Sequence, residues 1–154
     1  MLSEENRKKL DLIIPRYPEK QAALLPALHI AQEQEGYLSR EMMQYLADYL
    51  GIPFGHVLGV VTFYTMYYDK PIGKYHIQVC TNVSCQLLGA ETIRDHIGRR
   101  CGIKPGETSP DGLFTLSEVE CLGSCGTAPM MQINDDYHEN LSIEKIDSLL
   151  DSLK

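Results

Sequence analysis

Five cysteines lie in this chain of 154 residues, and four of them fall into two pairs. Cys80 and Cys85 are separated by four residues, Cys121 and Cys125 by three, and 35 residues lie between the pairs. Thiolates grouped in this way hold either a structural zinc ion or an iron–sulfur cluster, and each takes four of them. Zinc knuckles most often leave two residues between paired cysteines, whereas loops of four and three are wide enough to wrap two bridged irons. The spacing therefore favours a [2Fe–2S] cluster on Cys80, Cys85, Cys121 and Cys125, with zinc as the alternative. A disulfide-exchange dithiol normally uses CxxC, a spacing the chain lacks.

A binuclear cluster on four thiolates carries a charge of about −2 when oxidised, so burying it calls for many N–H donors. Cys85 precedes a predicted helix whose first amides would face an anion, and Gly123 and Gly126 flank Cys125, where a missing Cβ lets amides turn inward. The expected arrangement puts Cys80 and Cys85 on one iron and Cys121 and Cys125 on the other.

Composition limits what else the chain could be. With 44% hydrophobic and 23% charged residues it reads as globular. Residues 1–73 carry 7 basic and 9 acidic side chains and residues 74–154 carry 7 and 12, so neither half offers a basic face to nucleic acid. The start, Met-Leu-Ser-Glu-Glu-Asn-Arg-Lys-Lys, is charged where a signal peptide is apolar, and no apolar run is long enough to span a membrane. A soluble protein on the cytoplasmic side is expected, and a reducing compartment makes the cysteines ligands before it makes them disulfides.

The elements that must position the thiols begin after residue 73. Tyr75, Ile77 and Val79 alternate with His76 and Gln78 as in a strand that delivers Cys80. Ala90, Ile93 and Ile97 have helical spacing, with a stop near Gly98 or Gly102. Leu113 to Glu120 is a second strand leading into Cys121, and Met130 to Asn134 a third. Asn134-Asp135-Asp136 reads as a turn, and Ser142 caps a last helix carrying Ile143, Ile146, Leu149, Leu150 and Leu153. This is an α/β sandwich over 74–154, of a size that gains from a metal staple.

Residues 1–73 read as an all-helical module. Ser3 caps a first helix, ended by Pro15 and Pro18; a second runs from Pro18 to Gly36, bent at Pro26. Ser39 caps a third with Met42, Met43, Leu46 and Leu50 inward, and Pro53 starts a fourth with Val57, Val60, Val61 and Tyr64. Asp69-Lys70-Pro71-Ile72-Gly73 is the expected boundary.

The segments CTNVSCQLLGA and ECLGSCGTAPMMQIN resemble the two cluster-binding segments of the small thioredoxin-like [2Fe–2S] subunit of respiratory NADH:quinone oxidoreductase, complex I. PALHIAQEQEGYLS and VVTFYTMY are similar to the helical module of the same family, so the resemblance spans nearly the whole chain. It implies a thioredoxin-like domain behind a helical extension, a cluster on the same four cysteines, and a partner flavoprotein subunit carrying FMN and the NADH site. NADH would reduce the flavin there, and this chain would exchange single electrons with it, having no complete active site of its own. The resemblance also places the chain in a complex at the inner membrane, to which it would be peripheral. Gly126-Thr127 looks more like sister subunits of NAD-linked hydrogenases and formate dehydrogenases, whereas QINDDYHENLS resembles the complex I form. An interaction module stapled by zinc is the alternative of another class.

Four further features carry competing readings. Cys101 has no second thiol near it in sequence and reads as a structural or free thiol. His76 precedes the first ligand but reads as a packed histidine, since a Rieske-type site needs two histidines. The run from Thr62 to Tyr68 is either core packing or a face for the flavin subunit. Ala128-Pro129 is expected to be cis, by the thioredoxin-like analogy.

Overall fold

The computed structural model describes residues 1–153, in two compact units, Met1–Pro71 and one beginning at Ile72. In the first unit, α1 (Glu4–Ile13) starts where the Ser3 hydroxyl accepts the Asn6 amide, with Glu4 and Glu5 in its first turn. Pro15 falls in a tight turn, Ile14–Arg16, that closes the helix. α2 (Leu24–Glu35) begins six residues later than the sequence reading placed it, after a separate turn at Lys20–Ala23. This also corrects the expected bend at Pro26: the proline occupies the third position of α2, in the first turn, where no helical carbonyl awaits its missing N–H.

α3 (Arg40–Leu50) is capped by Ser39, whose hydroxyl accepts the Met42 amide, and α2 and α3 both close on left-handed glycines, Gly36 and Gly51. α4 (Phe54–Phe63) follows Pro53 and buries only Val57 and Val61. Leu10, Leu28, Leu38, Met42 and Leu46 are fully buried at the centre of this unit, each contributing about 1.5–3 kcal/mol of transfer free energy.

The second unit is built on a four-stranded sheet in the order β2-β1-β3-β4, with β1 at Tyr75–Cys80, β2 at Phe114–Val119, β3 at Met131–Ile133 and β4 at Asp136–His138. β1 and β2 run parallel, in register from Tyr75 opposite Phe114 to Cys80 opposite Val119. The crossover between them carries α5 (Val83–Leu87) and α6 (Ala90–Cys101). β3 is antiparallel to β1, and β4 to β3. α7 (Ile143–Ser152) starts at Ser142, whose hydroxyl accepts the Lys145 amide. Ile77, Val79, Leu116 and Met131 from the strands pack with Ile93 and Ile97 of α6 and Ile146 and Leu150 of α7.

Two elements depart from the sequence reading. The turn expected at 134–136 occupies Asn134-Asp135, with Asn134 at φ 54, and the chain re-enters the sheet at Asp136 to form β4. β1 is also more enclosed than its alternation implies, because it lies between β2 and β3; His76 and Gln78 are buried along with the apolar residues.

Candidate metal centre

β1 ends on Cys80, whose side chain is buried and whose amide donates to the Met130 carbonyl at 3.2 Å. One residue on, the Thr81 amide donates to the Val119 carbonyl, tying this end of β1 to the end of β2. Asn82 then caps α5, its Oδ1 accepting the Val83 amide at 2.7 Å. Cys85 is the third residue of that helix and is buried. Cys85 does precede the expected helix, α6, but it also lies within a short helix that the sequence did not announce: Asn82 starts α5 around it, and Gly89, at φ 93, separates α5 from α6.

The second pair follows β2. Cys121 lies two residues past Val119 and is exposed, and its Sγ accepts the Gly123 amide at 3.3 Å. Gly123 has φ 77, a conformation that favours glycine and that turns this amide onto the sulfur. Gly126 has no such role, since its φ is not positive and a Cβ there would meet nothing within 4 Å. Cys125 opens a single tight turn, Cys125–Thr127, and is exposed. The Ala128-Pro129 peptide that follows is cis.

Cys80, Cys85, Ala90 and Met130 form a small apolar cluster separate from the main core of the unit, with Leu122 and Ala128 packed on its edge. Burial is the main cause that pushes the Cys85 thiol above its ordinary range; its hydrogen bond with Cys80 and charge on Cys80 and Cys125 add to this, while a bond from the Met130 backbone opposes it. Cys80 and Cys85 thus share one corner, at the end of the sheet from which the Cys121–Cys125 loop departs. Among the described residues, no three His, Cys, Asp or Glu side chains surround a point that could hold a single ion. Two buried and two exposed thiols, with backbone amides aimed at sulfur, are a donor set that suits bridged irons bound along their length, and binding them would release the thiol protons.

A further set of residues holds the second loop, and the sequence reading missed it. Tyr137 on β4 donates its hydroxyl to the Leu122 carbonyl at 2.7 Å. Glu139, just past β4, accepts from the hydroxyls of Ser124 and Thr127, which flank Cys125. Those hydroxyls, Ser124 first, hold the Glu139 carboxyl below its usual range. The only signal in the sequence was the Gly126-Thr127 pair, because nothing in the spacing links residue 139 to residue 124.

Cys101 ends α6 and packs against the main core, in a different cluster from the paired cysteines. His76 Nε2 lies 2.8 Å from Ser117 Oγ, and burial lowers its pKa to about 4. The aromatic run divides: Tyr67 is buried with its hydroxyl on the Leu25 carbonyl, while Phe63, Tyr64 and Met66 are exposed. No described helix is long and apolar enough to cross a membrane.

Known proteins resemble the chain in sequence and in fold. A family profile for thioredoxin-like [2Fe–2S] ferredoxins matches residues 10–154. The chain is 45% identical over 148 residues to an NADH-quinone oxidoreductase subunit of Rhizobium meliloti (strain 1021), covering 96% of this chain and 88% of that one. It is 40% identical over 154 residues to NADH-quinone oxidoreductase subunit 2 of Thermus thermophilus, covering 98% and 85%. Among solved structures, an NAD+-reducing [NiFe]-hydrogenase in the air-oxidized state superposes with a TM-score of 0.73 at 25% identity, covering 84% of this chain and only 22% of the hydrogenase chain.

Proposed function

Because the chain belongs to the thioredoxin-like [2Fe–2S] ferredoxin family, we propose that Cys80, Cys85, Cys121 and Cys125 are the ligands of its one [2Fe–2S] cluster, the first two on one iron and the last two on the other. The chain is a one-electron carrier and a subunit of an NADH-quinone oxidoreductase, without a complete active site of its own. The observation that carries the ligand assignment is that Cys80 and Cys85 meet in a small cluster apart from the main core, at the end of the sheet from which the loop bearing Cys121 and Cys125 departs. The cluster supplies a single-electron couple, taking up and releasing electrons one at a time.

The protein's own residues set how that couple is reached. Cys80 and Cys85, with Met130 and Ala90, keep water from one side, while Cys121 and Cys125 face outward. Beside the Cys80–Cys85 pair, Val83, Leu87 and Leu88 are exposed apolar side chains on and just after α5, a surface suited to a permanent partner. That partner, in our reading, is the subunit carrying FMN and the NADH site, whose flavin takes hydride from NADH and passes single electrons to this chain. Its place is peripheral to the membrane, through that complex.

The same role in an NAD-linked hydrogenase is the second reading, favoured by the hydrogenase likeness and by Gly126-Thr127. Identities of 40% and 45% to the quinone-linked subunits against 25% to the hydrogenase decide for the former.

Metal analysis of the purified chain tests the proposal. Iron and acid-labile sulfide at about two each per chain, with visible absorption that bleaches on reduction, are expected; stoichiometric zinc without sulfide would overturn it. Cys121→Ser should lose or remodel the cluster, and Cys101→Ser should leave the spectrum intact. Equal damage from both would show that a different four thiols bind.

A further inference from the structure

The loop between Cys121 and Cys125 is exposed, and little apolar packing holds it in place. Leu122 reaches the small apolar cluster, and polar bonds from one short segment, residues 137–141, hold the loop and the residues just after it. Tyr137 donates to the Leu122 carbonyl, the Asn140 amide donates to the Thr127 carbonyl at 2.7 Å, and the Leu141 amide donates to the Pro129 carbonyl at 3.0 Å. Glu139 stands in the middle of this segment, half-buried, with one carboxylate oxygen serving the hydroxyls on both sides of Cys125. The Ser124 and Thr127 hydroxyl oxygens also lie 2.7 Å from each other. Each hydroxyl carries a single proton; the carboxylate can only accept, and the Ser124 carbonyl, 3.1 Å from Thr127 Oγ1, is the longer alternative for the Thr127 proton.

Lys145 completes the segment by donating its Nζ to the Glu139 carbonyl at 2.6 Å. Its charge acts on the Glu139 carboxylate, yet its bond is to the backbone rather than to the carboxylate. The negative charge on the Glu139 side chain is therefore compensated only in part.

We propose that Glu139 is a positioning residue for the cluster: it fixes the Cys125 loop through Ser124 and Thr127, and its charge beside the exposed ligands holds the reduction potential lower than the thiolates alone would set it. The inference rests on the ligand assignment above. Adding an electron to an anionic centre beside a carboxylate is opposed by Coulomb repulsion, which a protein interior screens less than water does. A neutral side chain of the same shape should therefore keep the loop in place and ease reduction.

The test uses the full chain with its cluster, measuring iron and sulfide content and following the potential by an EPR-monitored redox titration. Glu139→Gln keeps an amide oxygen to accept both hydroxyls, so its content should match the parent while its potential moves to a more positive value, by less at high salt. Asp111→Asn makes the same change of charge ahead of the start of β2, away from the cysteines, and should leave the potential in place. Thr127→Val removes one hydroxyl and leaves the carboxylate, so the cluster should be lost to a chelator several-fold faster at a nearly unchanged potential.

An unmoved potential in Glu139→Gln at full content would overturn the electrostatic half of the proposal. A Glu139→Gln chain that holds no cluster would overturn the positioning half as argued, since the amide preserves both bonds. A Thr127→Val chain as durable as the parent would overturn the positioning half. Parent protein without iron and sulfide would sink the ligand assignment itself, an outcome distinct from all of these.

Discussion

His76 shows how far a single side chain can be taken from its solution behaviour by where a strand puts it. The residue is 4% exposed on the central strand, and burial lowers its pKa from 6.5 to about 4. The unfolded chain binds this proton as pH falls below 6.5 while the folded chain does not, so the neutral imidazole's contribution is fully present above 6.5 and is lost between there and about 4. A shift of this size corresponds to about 3 kcal/mol. His76→Gln should flatten the dependence of denaturation midpoint on pH between 7 and 4.5; equal slopes in the two proteins would contradict this. At this scale the cysteine pairs stood out because thiols are scarce and their spacing is itself chemistry, and metal analysis is what tests them as ligands. Glu139, Ser124 and Thr127 were not, because a carboxylate 15 residues from its hydroxyl leaves no local pattern.

Strands and helices were readable wherever their signal was longer than one turn or one pleat. Ser3, Ser39 and Ser142 each announced a helix, and each hydroxyl accepts an amide in the first turn. α5 and β4 were missed for a common reason: five residues and three residues are too few to show a period. Pro26 misled because a proline in the first turn of a helix looks, in sequence, like one in the middle. The entry to β1 makes a sharper test of the sheet. A Cβ on Gly73 would lie 2.8 Å from the Phe114 carbonyl carbon and 2.9 Å from its nitrogen, both backbone atoms of β2 that cannot rotate aside. Gly73→Ala should cost about 1–3 kcal/mol by forcing the first residues of β1 away from β2. This would be seen as a lower denaturation midpoint, and an unchanged midpoint would mean that the strands shift freely.

The molecule as a whole carries a family likeness across both its units, and that likeness, more than periodicity, made the fold class readable: strands and helices of these lengths fit several α/β arrangements, and the cysteine-bearing segments select one. What the chain meets was less legible, because exposure is not written in a sequence. Leu87, at 81% exposure, and Phe63, at 79%, are large apolar side chains left uncovered, and Leu87 has Val83 and Leu88 exposed beside it in sequence. Leu87→Lys places a charge in the α5 patch and should weaken association with the flavin-bearing partner proposed above by about tenfold or more, while iron content stays at the parent level. Undiminished co-purification would remove α5 from that interface.

The unequal shelter of the four thiols has one more result. Dioxygen, peroxide or a chelator arriving from solution finds Cys121 and Cys125 at the surface, with Cys80 and Cys85 walled off behind Met130 and Ala90. With the cluster held as proposed, oxidative damage would be lopsided: the iron on the outer pair would go first, and the inner pair of sulfurs would stay behind as the half-site from which repair could begin.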